Sequence, residues 1–151
     1  MIWIGIAAGI FLLDYGIKAW VEKHLKADLV KEIVGDRILL RKFHNPGLAL
    51  GMGAEKPGLV KSGSLILWLI LAGSYLWLLT KKGLRMVKLG GAMILGGGAS
   101  NLADRLIRGR VTDYFSFNVQ WKKLRSLVFN LSDWFIAIGA VLAVIGLGKR
   151  R

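Results

Sequence analysis

Residues 90–117, GGAMILGGGASNLADRLIRGRVTDYFSF, open as an apolar, glycine-rich helix and then place Asn101, Asp104, Arg105 and Asp113 at or near its end. Residues 129–133, FNLSD, open a further apolar run and add Asp133. A carboxylate beside hydrocarbon is expensive, so by default it marks a site of chemistry or transport.

At 151 residues the chain has the length of about one domain. It is 54% hydrophobic with a mean hydropathy of +0.51, yet holds 22 Lys and Arg against 9 Asp and Glu. Apolar runs separated by basic loops read as a polytopic membrane protein. The net charge of +13 lies beside those runs, where it suits anionic headgroups better than nucleic acid. With no cysteine there are no disulfides, thiolate nucleophiles or Cys-ligated metals. His24 and His44 lack zinc-motif spacing, so a metal hydrolase is not expected and no metal is assigned.

Four spans are expected, near residues 2–21, 62–80, 86–106 and 127–147, in a single integral membrane domain over 1–151. The first carries no basic n-region and no cleavage site, so it reads as a retained helix rather than a signal peptide. Asp14 and Lys18 share one face of it, either as an ion pair near the helix end with Lys18 snorkelling to the interface or in a direct functional role. Residues 22–61 are mixed in charge and read as a loop outside the bilayer, with KEIVGDRILLRKF as two short strands about a Gly35-Asp36 turn. His44-Asn45-Pro46-Gly47-Leu48-Ala49-Leu50-Gly51 then reads as a turn.

In the third span Ala92, Gly96 and Ser100 recur every four residues and continue to Asp104, a small-residue face for close helix packing. GGGASN is not followed by Gly-Lys-Ser/Thr, which excludes a nucleotide loop. Lys81, Lys82, Arg85 and Lys88 make the loop before this span cytoplasmic, and the tail Lys149, Arg150 and Arg151 agrees. Against that orientation stand Arg105, Arg108, Arg110, Lys122, Lys123 and Arg125, in the loop assigned to the outer side.

Among the nine acids, Glu22, Asp28, Glu32, Asp36 and Glu55 fall in the polar loop and need no special account. Asp104 has Arg105 beside it as a neutralising partner. Asp113 and Asp133 have none, and both fall near one outer face, where two neighbouring carboxylates would share a proton. Such a pair activates water and polarises a carbonyl in turn. Asn101 and Asn130 then orient a carboxylate or substrate backbone, or serve as helix-end and interhelical hydrogen bonds. The residues alone leave a catalytic pair, a structural role and a proton or cation path through Asp14, Asp104, Asp113 and Asp133 all open.

Several motifs together narrow this. Asn45-Pro46-Gly47-Leu48-Ala49 resembles the Asn-x-Gly-x-Ala motif of the bacterial lipoprotein signal peptidases (type II signal peptidases). GGGASNLADR is similar to their Gly-Gly-x-x-x-Asn-x-x-Asp-Arg motif, VTDY to Val-x-Asp-Phe, and FNLSD to Phe-Asn-x-Ala-Asp. Asp14 with Lys18 matches a first-span motif, and the motifs follow in family order over most of the chain. The resemblance implies an all-α membrane protein of four transmembrane helices, with a small extracytoplasmic β-rich cradle formed by the first loop. It implies an inner-membrane aspartyl endopeptidase that removes signal peptides from diacylglyceryl-modified prolipoproteins, cutting before the lipidated cysteine.

By that resemblance Asp113 and Asp133 are the catalytic pair, and Asn45, Gly47, Asn101, Asp104, Arg105, Asn130, Asp14 and Lys18 bind substrate or support the site. The expected partners are the prolipoprotein and membrane lipid, without nucleic acid or cofactor, and the protein is expected to act as a monomer. Leu50, Ser100, Tyr114 and Ser132 depart from the usual Phe, Gly, Phe and Ala. Leu50 and Tyr114 are expected to alter how lipid or signal helix fits, and Ser132 to act on Asp133. A relative that binds lipidated signal peptides without cutting them is a further reading.

Overall fold

The computed structural model describes residues 1–26, 29–48 and 51–149. Asp28, the Ala49-Leu50 end of the Asn45 motif, and Arg150 and Arg151 of the basic tail lie outside the described residues. The elements run α1 (Ile2–His24), β1 (Lys31–Ile33), β2 (Ile38–Asn45), α2 (Pro57–Leu79), α3 (Arg85–Arg108), β3 (Val111–Phe117), α4 (Lys122–Ser126) and α5 (Leu131–Gly148). Among the described residues α1, α2 and α5 are long and apolar enough to cross a membrane. At 23 residues α1 and α2 each reach about 35 Å at 1.5 Å per residue.

The central helix is α3, against which α1, α2 and α5 all pack. This position explains its composition: it faces protein rather than lipid, so glycines and charges replace the Leu and Ile of its neighbours. The small-residue face does what its spacing suggests. A Cβ on Gly96 would lie 2.5 Å from the Ala7 carbonyl oxygen of α1, and one on Gly139 of α5 would lie 2.6 Å from that of Gly90. The backbones therefore touch at both crossings. By contrast, α2 turns Ile66, Leu69, Ile70 and Leu76 outward, as a helix solvated by lipid does.

Helix ends differ from expectation in three places. Residues 127–130, expected in the fourth span, precede α5, whose first helical residue is Leu131 behind the Asn130 cap. Continuing to His24, α1 puts Glu22 on a helix rather than in a loop. The start of α2 is Pro57, whose fixed φ and missing N–H suit the first turn, so residues 57–61 are helical. The cradle differs as well. Its strands run β1-β2-β3, all antiparallel, with Phe43 opposite Asp113 and Asn45 opposite Val111. Among the described residues, two strands come from the first loop. The third is VTDYFSF, whose β-branched and aromatic residues have strand character and which closes the free edge of β2. Residue 129 extends this arrangement, since Phe115 and Phe129 exchange backbone hydrogen bonds of 3.0 and 2.7 Å.

Gly96→Ala should destabilise by about 1–3 kcal/mol through overpacking. Gly5→Ala, at a helical site with nothing within 4 Å of the new Cβ, should be neutral or slightly stabilising. Thermal denaturation of the two variants in detergent reads the difference.

Candidate active site

The first turn of α5 is built around Asn130. As N-cap its Oδ1 accepts from the Asp133 N–H at 3.0 Å, while Asp133 Oδ2 accepts from the Asn130 N–H at 3.0 Å. This reciprocal box satisfies two of the donors a helix start leaves free and fixes the Asp133 rotamer. The Nδ2 of Asn130 is thereby aimed across the site, donating to Asp113 Oδ1 at 2.7 Å and to Asn101 Oδ1 at 3.1 Å. Asn101 in turn donates to Asp133 Oδ1 at 3.2 Å, and Asn45 donates to Asp113 Oδ2 at 3.4 Å. Three asparagines from α3, β2 and the α5 cap thus hold two carboxylates from β3 and α5.

Asp113 is 3% exposed. Burial, and next the negative charge of Asp133, raise its pKa to about 7, against the opposing hydrogen bond from Asn130. A carboxyl poised there can hold or release a proton near neutrality, the property a general acid–base needs.

Under the two acids lies a second layer that sequence reasoning placed differently. Asp14 and Lys18 form the expected pair at 2.9 Å, but both are 0% exposed. Lys18 does not snorkel. Its Nζ donates to Asn101 Oδ1 at 2.6 Å and Ser100 Oγ at 3.2 Å, and lies 3.5 Å from Asp104 Oδ2. Asp104 is neutralised by Arg108 and Lys18, not by Arg105. Adjacent helical residues point about 100° apart, whereas residues four apart share a face. Arg105 instead donates to the Gly47 carbonyl at 2.9 Å. At Gly47 a Cβ would meet the Gly51 backbone at 2.6 Å, so the loop closes only around glycine.

Ser132 does not act on Asp133 directly. Its hydroxyl donates to Asp14 Oδ2 at 2.6 Å. Tyr114 is only 6% exposed, and its hydroxyl donates to Asp14 Oδ1 at 2.9 Å rather than facing a ligand. Burial, and next the Asp14 charge, push the Tyr114 phenol well above its ordinary pKa, so it stays a donor. Glu22, expected to need no special account, is also a site neighbour. Its Oε1 accepts from Thr112 Oγ1 at 2.7 Å and lies 2.7 Å from His44 Nε2, joining α1 to the strand residues beside Asp113 and Asn45. Its spacing of four from Lys18 on one helix face was the available signal.

Asp113, Asp133, Asn45, Asn101 and Arg105 line one end of a cavity of about 600 Å³. Apolar residues of α2, α3 and α5, among them Leu67, Trp68, Leu71, Ile94 and Ile136, line much of the rest, together with residues 126–129. The cavity lies between α2 and α5, which pack chiefly on α3. Among the described residues no group of three or more His, Asp or Glu is placed to hold a metal ion. The arrangement is suited to coupled-carboxylate hydrolysis at the end of an apolar groove.

A sequence model of the family described as signal peptidase (SPase) II matches residues 6–148. A lipoprotein signal peptidase of Sulfurihydrogenibium sp. is 32% identical over 148 residues, covering 93% of this chain and 87% of the relative. One of Brucella ovis is 34% identical over 145 residues, covering 93% and 86%. One of Neisseria gonorrhoeae is 38% identical over 108 residues, or 70% of this chain, and the match spans 64% of that relative's length. Two solved structures, each described as a bacterial membrane enzyme, share the fold. One has a TM-score of 0.83 at 21% identity, covering 97% of this chain and 87% of its own. The other has a TM-score of 0.79 at 22% identity, covering 96% and 91%.

Asn130→Ala should lower stability by about 1 kcal/mol for the lost cap, and further because Asp113 loses its shortest donor. Asn130→Ser, which can still cap, should recover the first part only. Thermal melts in detergent should fall from wild type through Asn130→Ser to Asn130→Ala.

Proposed function

This chain belongs to the signal peptidase II family, and from that premise we propose that it is an aspartyl endopeptidase. It removes signal peptides from diacylglyceryl-modified prolipoproteins, cutting before the lipidated cysteine. The observation that carries the reading is the Asn130 side chain, whose cap fixes Asp133 while its Nδ2 holds Asp113 at 2.7 Å. Two acids are thereby kept together on the wall of one cavity, as a hydrolase requires. An ion path would instead spread its acids through the membrane.

In the mechanism, Asp113 and Asp133 share one proton. The ionised member takes a proton from water as it attacks the scissile carbonyl, and the protonated member donates to the carbonyl oxygen. The roles then reverse to protonate the leaving amine. The two apparent pKa values belong to the pair, because the Asp133 charge acts on Asp113. Asn45, Asn101 and Asn130 orient the carboxylates, and Arg105, which lines the cavity, holds the Gly47 turn. The groove between α2 and α5 offers apolar walls to a signal helix and acyl chains, with its polar end at the acids.

As a family member with helices long and apolar enough to cross a membrane, the protein is an inner-membrane protein of a bacterium. In our reading α3 crosses as well, enclosed by the other spans, and the chain acts as a monomer with both termini cytoplasmic. The acids and the sheet then face outward. Of the six basic residues that count against this orientation, Arg105 and Arg108 are engaged internally with Gly47 and Asp104. They therefore weigh less as free loop charges.

Purified protein should cut a diacylglyceryl-modified prolipoprotein, and Asp113→Asn or Asp133→Asn should each lower kcat by roughly a thousandfold or more. Retained cleavage in both variants would move the chemistry elsewhere. Binding without cutting, or ion flux in liposomes without cutting, would replace the enzyme reading. A pH series gives an independent check. Because the pKa of Asp113 is raised to about 7, the shared proton is present below that pH and lost above it. Activity should therefore fall as pH rises through about 7, approaching tenfold per unit.

A further inference from the structure

Three hydroxyls converge on one buried carboxylate that takes no part in the cavity. Ser100 Oγ and Ser132 Oγ each donate to Asp14 Oδ2 at 2.6 Å, and the Tyr114 hydroxyl donates to Oδ1 at 2.9 Å. Lys18 Nζ, at 2.9 Å, supplies a fourth donor. Each hydroxyl sits one residue from a group of the site: Ser100 beside Asn101, Tyr114 beside Asp113, Ser132 beside Asp133. Asp14, Ser100, Tyr114 and Ser132 are all buried, and none lines the cavity, so none is placed to touch substrate.

We propose that Asp14 is a positioning residue for the acid pair, acting through the hydroxyls of Ser100, Tyr114 and Ser132. The proposal rests on the reading of Asp113 and Asp133 as the working acids. The tie is directional. Tyr114 donates to Asp14 and also accepts from the Leu131 N–H at 2.9 Å, one of the donors the start of α5 leaves free. The phenol therefore joins the strand carrying Asp113, the first turn carrying Asp133, and α1. Ser132 adds a second tie from α5 to α1, and Ser100 ties in the α3 turn carrying Asn101.

Apolar side chains would fill the same contacts without the cost of burying hydroxyls and a carboxylate. Packing alone, however, tolerates small slides and rotations that donors fixed on a shared acceptor do not. A shift of about 1 Å in catalytic geometry can cost up to a hundredfold in rate. Asp14 thus sets the mutual placement of Asn101, Asp113 and Asp133 from below.

The test compares wild type with Ser100→Ala/Tyr114→Phe/Ser132→Ala in detergent, using a diacylglyceryl-modified prolipoprotein as substrate. The substitutions remove three hydroxyls and leave the carbon framework. The expected result is a fall in kcat of roughly ten- to a hundredfold, with KM unchanged and a displaced pH–rate profile. Restoring the hydroxyl at position 132 as Ser132→Thr should recover part of kcat. Should the triple variant fail to fold, Tyr114→Phe and Ser132→Ala singly should each show a smaller loss of the same kind. A lower Tm with kcat, KM and pH profile all at wild-type values would overturn the proposal and leave the network a purely structural one. A wild type that cuts nothing defeats the acid-pair reading and this proposal with it. Cutting by wild type and variants alike defeats this proposal alone.

Discussion

Buried charge that must be answered inside the protein is the constraint on which this bundle depends. Asp14 and Lys18 stand one helical turn apart with no exposure, surrounded by a helix that elsewhere turns hydrocarbon outward. Removing one member of such a pair leaves an uncompensated ion, a loss of about 3–5 kcal/mol in buried pairs generally. The remaining valences of both groups are met only if α3, β3 and α5 arrive at the same level. Lys18 reaches Ser100, Asn101 and Asp104, while Asp14 receives Ser100, Tyr114 and Ser132. Satisfying the ion pair therefore fixes the relative height of the elements that carry Asp113 and Asp133.

Above this layer the architecture divides its labour. Glycine-mediated contacts bring α1 and α5 onto opposite parts of α3, with backbones close enough to exclude any side chain between them. No comparable closure draws α2 against α5, and the space between these helices becomes the cavity. The sheet completes the site from outside the helices. Asn45 arrives at the end of β2 and Asp113 in β3, whose pairing with residue 129 also anchors the α5 cap. The polar groups at the acids and the apolar residues of the helices line one continuous space.

Much of this was legible one residue at a time. The apolar runs announced long helices, the four-residue spacing of Ala92, Gly96 and Ser100 announced a close crossing, and Gly35-Asp36 announced a hairpin. Asp113 and Asp133 stood out because neither had a local counter-charge. Partner choice was less accessible. Asp104 had Arg105 adjacent in sequence, yet helical geometry turned it to Arg108. Ser132 was next to Asp133, yet its hydroxyl faces the other way, to Asp14. VTDYFSF had strand character, but its partner strand lay more than sixty positions earlier.

By itself the sequence determined the local terms: which stretches are apolar enough for helices, where backbones can approach, which acids lack a neighbour of opposite sign, and which motifs the chain shares with a family. These follow from side-chain chemistry and helical or strand period, which operate over a few residues. Only the tertiary structure decided which donors meet which acceptors. Side-chain direction rotates by about 100° per helical residue, and the groups that satisfy Asp14 come from four elements spread over more than a hundred positions. Their meeting is a property of packing, set where the cost of an unanswered charge outweighs the freedom of the helices to slide.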